Sequence, residues 1–287
     1  VGLRILLLNS FVCHGHVGAS AQLFPLQRLG AEVTVIPTVR FSNHPGYGHF
    51  AGDVTSPNEI ARLVEGLEAI GALDGLDGLL SGYLSDPRTG AAAIAAITRA
   101  RQRSPAALYA CDPVLGDNGR LYVLPGVDEL LRGQAVPGAD LITPNPFELG
   151  LLTGLPCGSL TAVKRAATAL QAEMRAAGPR AVLVTGLRLE TTPKDAVDML
   201  LAEGGAFHRL RTPFFDLTAN GTGDLAAALF LHEYLRLGDG AAALAAMAAR
   251  LVPVLRLTAA RGARELALVA AQDEFAAPPR QFQVEQC

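Results

Sequence analysis

Short apolar runs of four to six residues alternate along this chain with longer stretches in which apolar positions recur at helical spacing. Residues 3–8 form the first run, Leu3-Arg4-Ile5-Leu6-Leu7-Leu8, whose near-continuous hydrophobicity suits a strand covered on both faces. A loop over 9–18 leads to a helix over about 19–29 and a second strand over 33–36. After a break at 39–54 the rhythm resumes, with helices over about 57–70, 88–103 and 162–176 and strands over 77–80, 107–111, 139–142 and 181–186. The runs 197–202 and 206–210, split by Glu203-Gly204-Gly205, predict a hairpin at a sheet edge. Two Ala-rich helices, about 241–257 and 263–271, then precede an ordered surface tail over 272–287. Strand and helix in alternation mean a mostly parallel sheet with right-handed crossovers. With no repeat, linker or composition shift, the pattern predicts one α/β domain spanning 1–287.

One stretch departs from simple packing logic. Asn220-Gly221-Thr222-Gly223-Asp224 runs directly into Leu225-Ala226-Ala227-Ala228-Leu229-Phe230-Leu231, a glycine-bracketed turn feeding a helix. The first N–H groups of such a helix lack intrahelical partners, and the dipole favours negative charge in front of them. This is a candidate anion site to which Thr222 can add a hydroxyl. Asp224 reads either as an ordinary first-turn acid or as a general base beside a bound phosphate, held ionised by those N–H groups. Ser10, Ser81-Gly82-Tyr83, Asp112, Thr143, Asn145 and Glu148 fall just past predicted strands, where open α/β sheets bind ligands. Asp112, Asn145 and Glu148 could supply oxygen ligands to a cation bridging nucleotide phosphates. Together these features suggest phosphoryl transfer. No GxxxxGK[ST] motif and no protein-kinase signature occurs in the sequence, so the helix start at 221–224 must serve as the phosphate cradle.

Composition narrows the class. The chain has 287 residues, half of them hydrophobic, and a formal net charge of −3 with charges scattered, which suits a globular protein with a sizeable core and argues against a nucleic-acid surface. No apolar run is expected to span a membrane, and a cytoplasmic location is expected. The four cysteines, at 13, 111, 157 and 287, lack metal-ligand spacing and read as reduced thiols, Cys13 as a small buried side chain. His14 and His16 read as ordinary loop residues rather than a metal pair. Residues 39–54, rich in aromatics, Gly and His, read as either a flap or a plain surface hairpin.

Gly221-Thr222-Gly223-Asp224 resembles the anion-hole motif of the ribokinase-like superfamily. With Gly15-His16-Val17-Gly18, Phe24-Pro25-Leu26-Gln27-Arg28-Leu29-Gly30, Ser42-Asn43-His44-Pro45-Gly46-Tyr47, Ser81-Gly82-Tyr83, residues 111–117 and Thr143-Pro144-Asn145-Pro146-Phe147-Glu148 in collinear order, the set resembles the pyridoxal kinases. The resemblance implies a three-layer α-β-α sandwich and ATP-dependent phosphorylation of the 5′-hydroxymethyl of pyridoxal, extending to pyridoxine or pyridoxamine, in vitamin B6 salvage. It implies Asp224 as the base and Gly221, Thr222 and Gly223 as the anion hole. Ser10, Val17, Phe41, His44 and Tyr83 would form the vitamin pocket, with Ser10 toward the ring nitrogen or substituents and Tyr83 stacking on the ring. Asp112, Asn145, Glu148, Thr185 and Thr222 would serve ATP with Mg2+, and Thr143 and Thr185 with Asp112 would hold K+. It further implies a flap at 39–54, a lid at 116–121 and a homodimer.

Phe11 stands where these kinases commonly have histidine, and Pro45 where threonine is frequent; both bear on substrate preference rather than reaction class. A hydroxymethylpyrimidine or sugar kinase would keep the anion hole but lack the 42–47 and 15–18 blocks. A non-catalytic vitamer carrier would bind without forming ADP. An enzyme using pyridoxal phosphate as cofactor would need a Schiff-base lysine, and the sequence has only Lys164 and Lys194.

Overall fold

The computed structural model describes residues 2–117 and 119–287. Its centre is a ten-stranded sheet in the order β3-β2-β1-β4-β5-β8-β9-β10-β11-β12. The strands are β1 Arg4–Val12, β2 Glu32–Phe41, β3 Gly52–Val54, β4 Gly78–Ser81, β5 Leu108–Cys111, β8 Leu141–Ile142, β9 Ala181–Leu187, β10 Ala196–Glu203, β11 Ala206–Pro213 and β12 Val284–Gln286. From β2 to β9 every pairing is parallel, and β3, β10, β11 and β12 add antiparallel strands outside. A two-stranded hairpin, β6 Gly116–Asp117 with β7 Arg120–Leu121, stands apart.

The apolar run of β1 explains the layering. Leu6 and Leu8 point into one core and Ile5 and Leu7 into the other, all at zero exposure. The first core is closed by α2 Pro57–Ala69, α3 Pro87–Arg103, α4 Val127–Leu130, α5 Pro146–Thr153 and α6 Leu160–Glu173. The second is closed by α1 Ala19–Arg28, α7 Thr222–Leu237, α8 Gly240–Ala260 and α9 Gln272–Ala276. This is the expected α-β-α sandwich.

Four expectations need correction. Residues 263–271 form turns, because the periodic apolar pattern there serves packing of Leu266, Leu268 and Ala271 without a continuous ladder. The tail is not merely a surface segment: α9 buries Phe275 and β12 pairs with β11, so the β10–β11 hairpin is not the sheet's edge. Among the described residues α8 is long and apolar enough to cross a membrane; it packs instead on α7, with just over half of its most apolar window buried. Cys13 is exposed rather than buried, and all four cysteines are free.

β2 and β4 flank β1 on opposite sides, so chain direction across the sheet reverses at β1. A crevice at the carboxyl ends of β1 and β4 is where such a reversal places ligands. The β1–β2 register also shifts by one residue between Asn9 and Phe11, a bulge of the kind that re-aims side chains at a strand end.

Candidate active site

The site is assembled at that reversal, from the ends of β1, β4 and β5 and the start of α7. Gly221 caps α7 in the left-handed region at φ 89°, and a Cβ there would lie 2.1 Å from the His16 carbonyl oxygen. Only glycine lets the 15–18 loop close on the helix start. Gly18 is equally constrained: at φ 56° its Cβ would fall 2.1 Å from Ser10 Oγ.

Asp224, in the first turn of α7 and half-buried, is not held by its own helix's N–H groups as expected. Its Oδ2 accepts from the Gly18 N–H at 2.9 Å, and its Oδ1 accepts from Asn9 Nδ2 at 2.9 Å. Burial pushes its pKa up from the ordinary carboxylate value, while the Gly18 N–H, the Asn9 amide and the nearby His44 oppose that rise. A carboxylate with a raised pKa that stays hydrogen-bonded in its charged form is suited to accept a proton near neutral pH.

His44 faces Asp224 from the β2–β3 connection. Its Nδ1 accepts from the Gly46 N–H at 3.1 Å and lies 3.3 Å from Asn220 Nδ2. Two donors on Nδ1 place the ring proton on Nε2. Burial lowers the His44 pKa, against the pull of Glu265 and Asp224. Pro45 opens a single 3-10 turn, Pro45–Tyr47, that His44 caps, which gives that departure from the family pattern a local structural use.

The 39–54 segment is a strand pair, β2 with β3, carrying this turn. Tyr47 Oη donates to Glu265 Oε1 at 2.7 Å, Glu265 Oε2 accepts from the His16 N–H at 2.6 Å, and the Arg264 guanidinium covers the Tyr47 ring at 4.2 Å. The segment is therefore tied to the body through Tyr47, an arrangement common to a flap and to a surface hairpin whose aromatics pack on the body. Phe41 packs on Phe50 at 4.8 Å between ring centroids, within this segment. Val17 is buried within the 15–18 loop. Tyr83 is half-buried, which raises its pKa, and its Oη donates to the Tyr122 carbonyl at 3.4 Å.

A second group lies at the ends of β5 and β8. Buried Asp112 accepts from Thr143 Oγ1 at 3.0 Å, and burial, then Glu148 and Asp224, push its pKa well above the usual range. Asn145 and Glu148 form a reciprocal capping box at the start of α5. Glu148 Oε1 also accepts from the N–H groups of Leu115, at 3.0 Å, and Gly116, at 3.4 Å, and Asn145 Nδ2 donates to the Gly116 carbonyl at 2.8 Å. Burial raises Glu148 to about 7 although the Asn145, Leu115 and Gly116 N–H groups stabilise its charge. These two residues thus anchor β6, the base of the expected lid at 116–121; Asn118, within that lid, lies outside the described residues. Among the described residues Thr185 joins the group through its N–H, which donates to the Pro144 carbonyl at 3.0 Å.

No three His, Cys, Asp or Glu side chains cluster as a metal cage among the described residues. His14 packs edge-on against Tyr47 at 6.2 Å. The residues fit a magnesium ion of the nucleotide-bridging kind, which takes one or two carboxylates and leaves its other positions to phosphate and water. Burial is the main cause of the raised Asp112 pKa, and the added repulsion from Glu148 and Asp224 is what a cation would relieve. Lys164 lies over the Phe207 ring, and the Lys194 carbonyl receives Arg188 in a surface turn; neither belongs to this site. Asn9, Gln22 and Glu265 were not singled out from the sequence. Asn9 and Gln22 follow apolar or helical patterns without any motif of their own, and Glu265 sits in a stretch predicted as plain helix.

An open α/β sandwich with a carboxylate in the first turn of α7 and a second acidic group at neighbouring strand ends suits a small-molecule kinase, and the profile of the phosphomethylpyrimidine kinase family matches residues 88–253. The chain is 44% identical over 286 residues to the pyridoxal kinase PdxY of Granulibacter bethesdensis, covering 99% of this chain and all of that one. It is 46% identical to the PdxY of Deinococcus radiodurans, covering 98% and 96% of the two chains. The pyridoxal kinase of Leishmania donovani in complex with ADP superimposes with a TM-score of 0.87 at 29% identity, over 99% of both chains. The Entamoeba histolytica pyridoxal kinase shares the fold at a TM-score of 0.89, 22% identity and full coverage. The chain belongs to the pyridoxal kinase family.

Proposed function

We propose that this protein transfers the γ-phosphoryl group of ATP to the 5′-hydroxymethyl of pyridoxal, giving pyridoxal 5′-phosphate. The observation that carries the reading is the Asp224 carboxylate, fixed between the Gly18 N–H and the Asn9 amide in the first turn of α7 and facing His44. Ser10, Val17, Phe41, His44 and Tyr83 are the proposed walls of the vitamin pocket. His44, with its proton on Nε2, offers a donor to a ring substituent, and Tyr83 offers an aromatic face. Asp224 takes the hydroxyl proton as the phosphoryl group arrives, and the N–H groups of Gly221, Thr222 and Gly223 receive the charge that develops. Asp112, Asn145, Glu148, Thr185 and Thr222 are the proposed nucleotide-side residues. Mg2+ bound with ATP would neutralise phosphate charge there, with Asp112 and Glu148 nearest to hold it; Thr143, Thr185 and Asp112 are the oxygen set proposed for K+. Flap and lid exclude water, the competing acceptor. Solved relatives hold ADP with pyridoxamine or with pyridoxine, which supports extending the acceptor range to those vitamers. A cytoplasmic homodimer acting in vitamin B6 salvage completes the proposal.

The phosphomethylpyrimidine kinase profile favours one second reading, a hydroxymethylpyrimidine acceptor. ADP release with Mg-ATP and K+, measured over pyridoxal, pyridoxine, pyridoxamine, hydroxymethylpyrimidine and ribose with product mass, separates the two. Turnover is expected on pyridoxal; turnover confined to the pyrimidine would discard the vitamin pocket. Tight pyridoxal binding with no ADP on any acceptor would point to a carrier.

A further inference from the structure

Asn9 is fully buried at the end of β1, and its side-chain amide has every hydrogen-bonding position filled. Oδ1 accepts from the N–H groups of Ser10 and Tyr83, both at 2.8 Å. Nδ2 donates to Asp224 Oδ1 at 2.9 Å and to Gln22 Oε1 at 3.2 Å. Gln22, also fully buried, donates from Nε2 to the Asp224 backbone carbonyl at 3.1 Å. Turning the amide over would set oxygen against carboxylate and NH2 against two N–H groups, so its orientation is determined. Room for it is made by Gly82, where a Cβ would lie 2.4 Å from Asn9 Nδ2. A strand position buried on both faces needs only an apolar side chain to pack; a saturated amide there needs a different reason.

We propose that Asn9 is a positioning residue for phosphoryl transfer: a single amide sets the spacing between the Asp224 carboxylate and the backbone of Ser10 and Tyr83. Base and acceptor-binding backbone then hold one geometry across the gap between β1, β4 and α7. The inference rests on the kinase reading of Asp224 given above.

Asn9→Asp tests it with little change of shape. The two N–H groups keep their acceptor, while the donor to Asp224 becomes an oxygen. The other groups facing Asp224 are unchanged: the Gly18 N–H from the loop before α1, His44 from the flap and Asp112 from the end of β5. Two carboxylates in contact share a proton. The expected result is a kcat at least about tenfold lower at pH 7 and an acid limb of the kcat profile displaced upward by about one pH unit or more. KM for pyridoxal and for ATP should stay within about threefold, since neither binding surface is altered. An acid limb that does not move overturns the proposal. Should that variant not fold, the wild-type protein decides: the Asn9 side-chain amide resonances should titrate with Asp224 and lose that titration in Asp224→Asn. Amide signals that never respond to pH overturn it. The resonance measurement needs no turnover, so a wild-type protein inactive on pyridoxal would remove the kinase reading while the coupling still stood.

Discussion

At the scale of single residues, charge buried at low exposure decides most of the behaviour. Glu148, raised to about 7 from 4.5 mainly by burial, binds a proton in the folded chain where the unfolded chain has lost it. Between about pH 4.5 and 7 the folded state therefore holds the extra proton, and stability from this group declines as pH rises, levelling off above 7. The difference in unfolding free energy between wild type and Glu148→Gln should fall by on the order of 3 kcal/mol across that window. A flat difference in chemical denaturation would remove the burial argument. Asp224, Asp112 and Glu148 were legible as candidates because acidic residues at strand ends and helix starts stand out against apolar surroundings. Asn9 was not, because a neutral amide at the end of an apolar strand carries no pattern; its role exists only once β1, β4 and α7 meet.

Among elements, α7 is the piece on which the site depends, and two features fix it. At its far end Glu233 is fully buried among His232, Arg236 and Arg250 of α8, and Arg250 continues to the carbonyls of Phe275 and Ala276. Burial alone would raise Glu233, but His232, Arg236 and Arg250 bring it down to about 2. Its contribution is thus complete above about pH 4.5 and is lost as pH falls toward 2. Glu233→Gln should cost about 3 kcal/mol at pH 7, because it leaves two guanidiniums around a neutral group, and the loss should shrink in acid. A thermal midpoint unchanged at neutral pH would contradict this. At the near end, Gly221→Ala should strain φ 89° and push against the His16 carbonyl, costing about 1–3 kcal/mol and lowering kcat together with stability. The helices and parallel strands were readable because their apolar periods are long and regular. The turns at 263–271 and the strand Val284–Gln286 were not, since a single short strand gains its partners only from the β10–β11 hairpin beside it.

Across the whole molecule, distant parts of the chain meet to close the site. Tyr47 and Glu265 are 218 residues apart, and the contact between them joins the 39–54 segment, the proposed flap, to the segment after α8. Tyr47→Phe should loosen the flap with little effect on the fold, raising KM for pyridoxal several-fold and uncoupling some ATP hydrolysis as water gains access. Equal ADP and phosphorylated product in that variant would show that the flap does not depend on this contact. The sequence announced a flap-like segment through its aromatics and histidines, yet not what holds it, because Glu265 lay in a stretch that read as ordinary helix. The central claim is that Asp224 takes the proton from the acceptor hydroxyl, and single-turnover phosphorylation of pyridoxal by Asp224→Asn, run beside equilibrium binding of ATP and pyridoxal, tests it most directly. The account predicts binding within a few-fold of wild type and a transfer rate lower by about a hundredfold or more. Transfer at a near-normal rate with both ligands bound would contradict it.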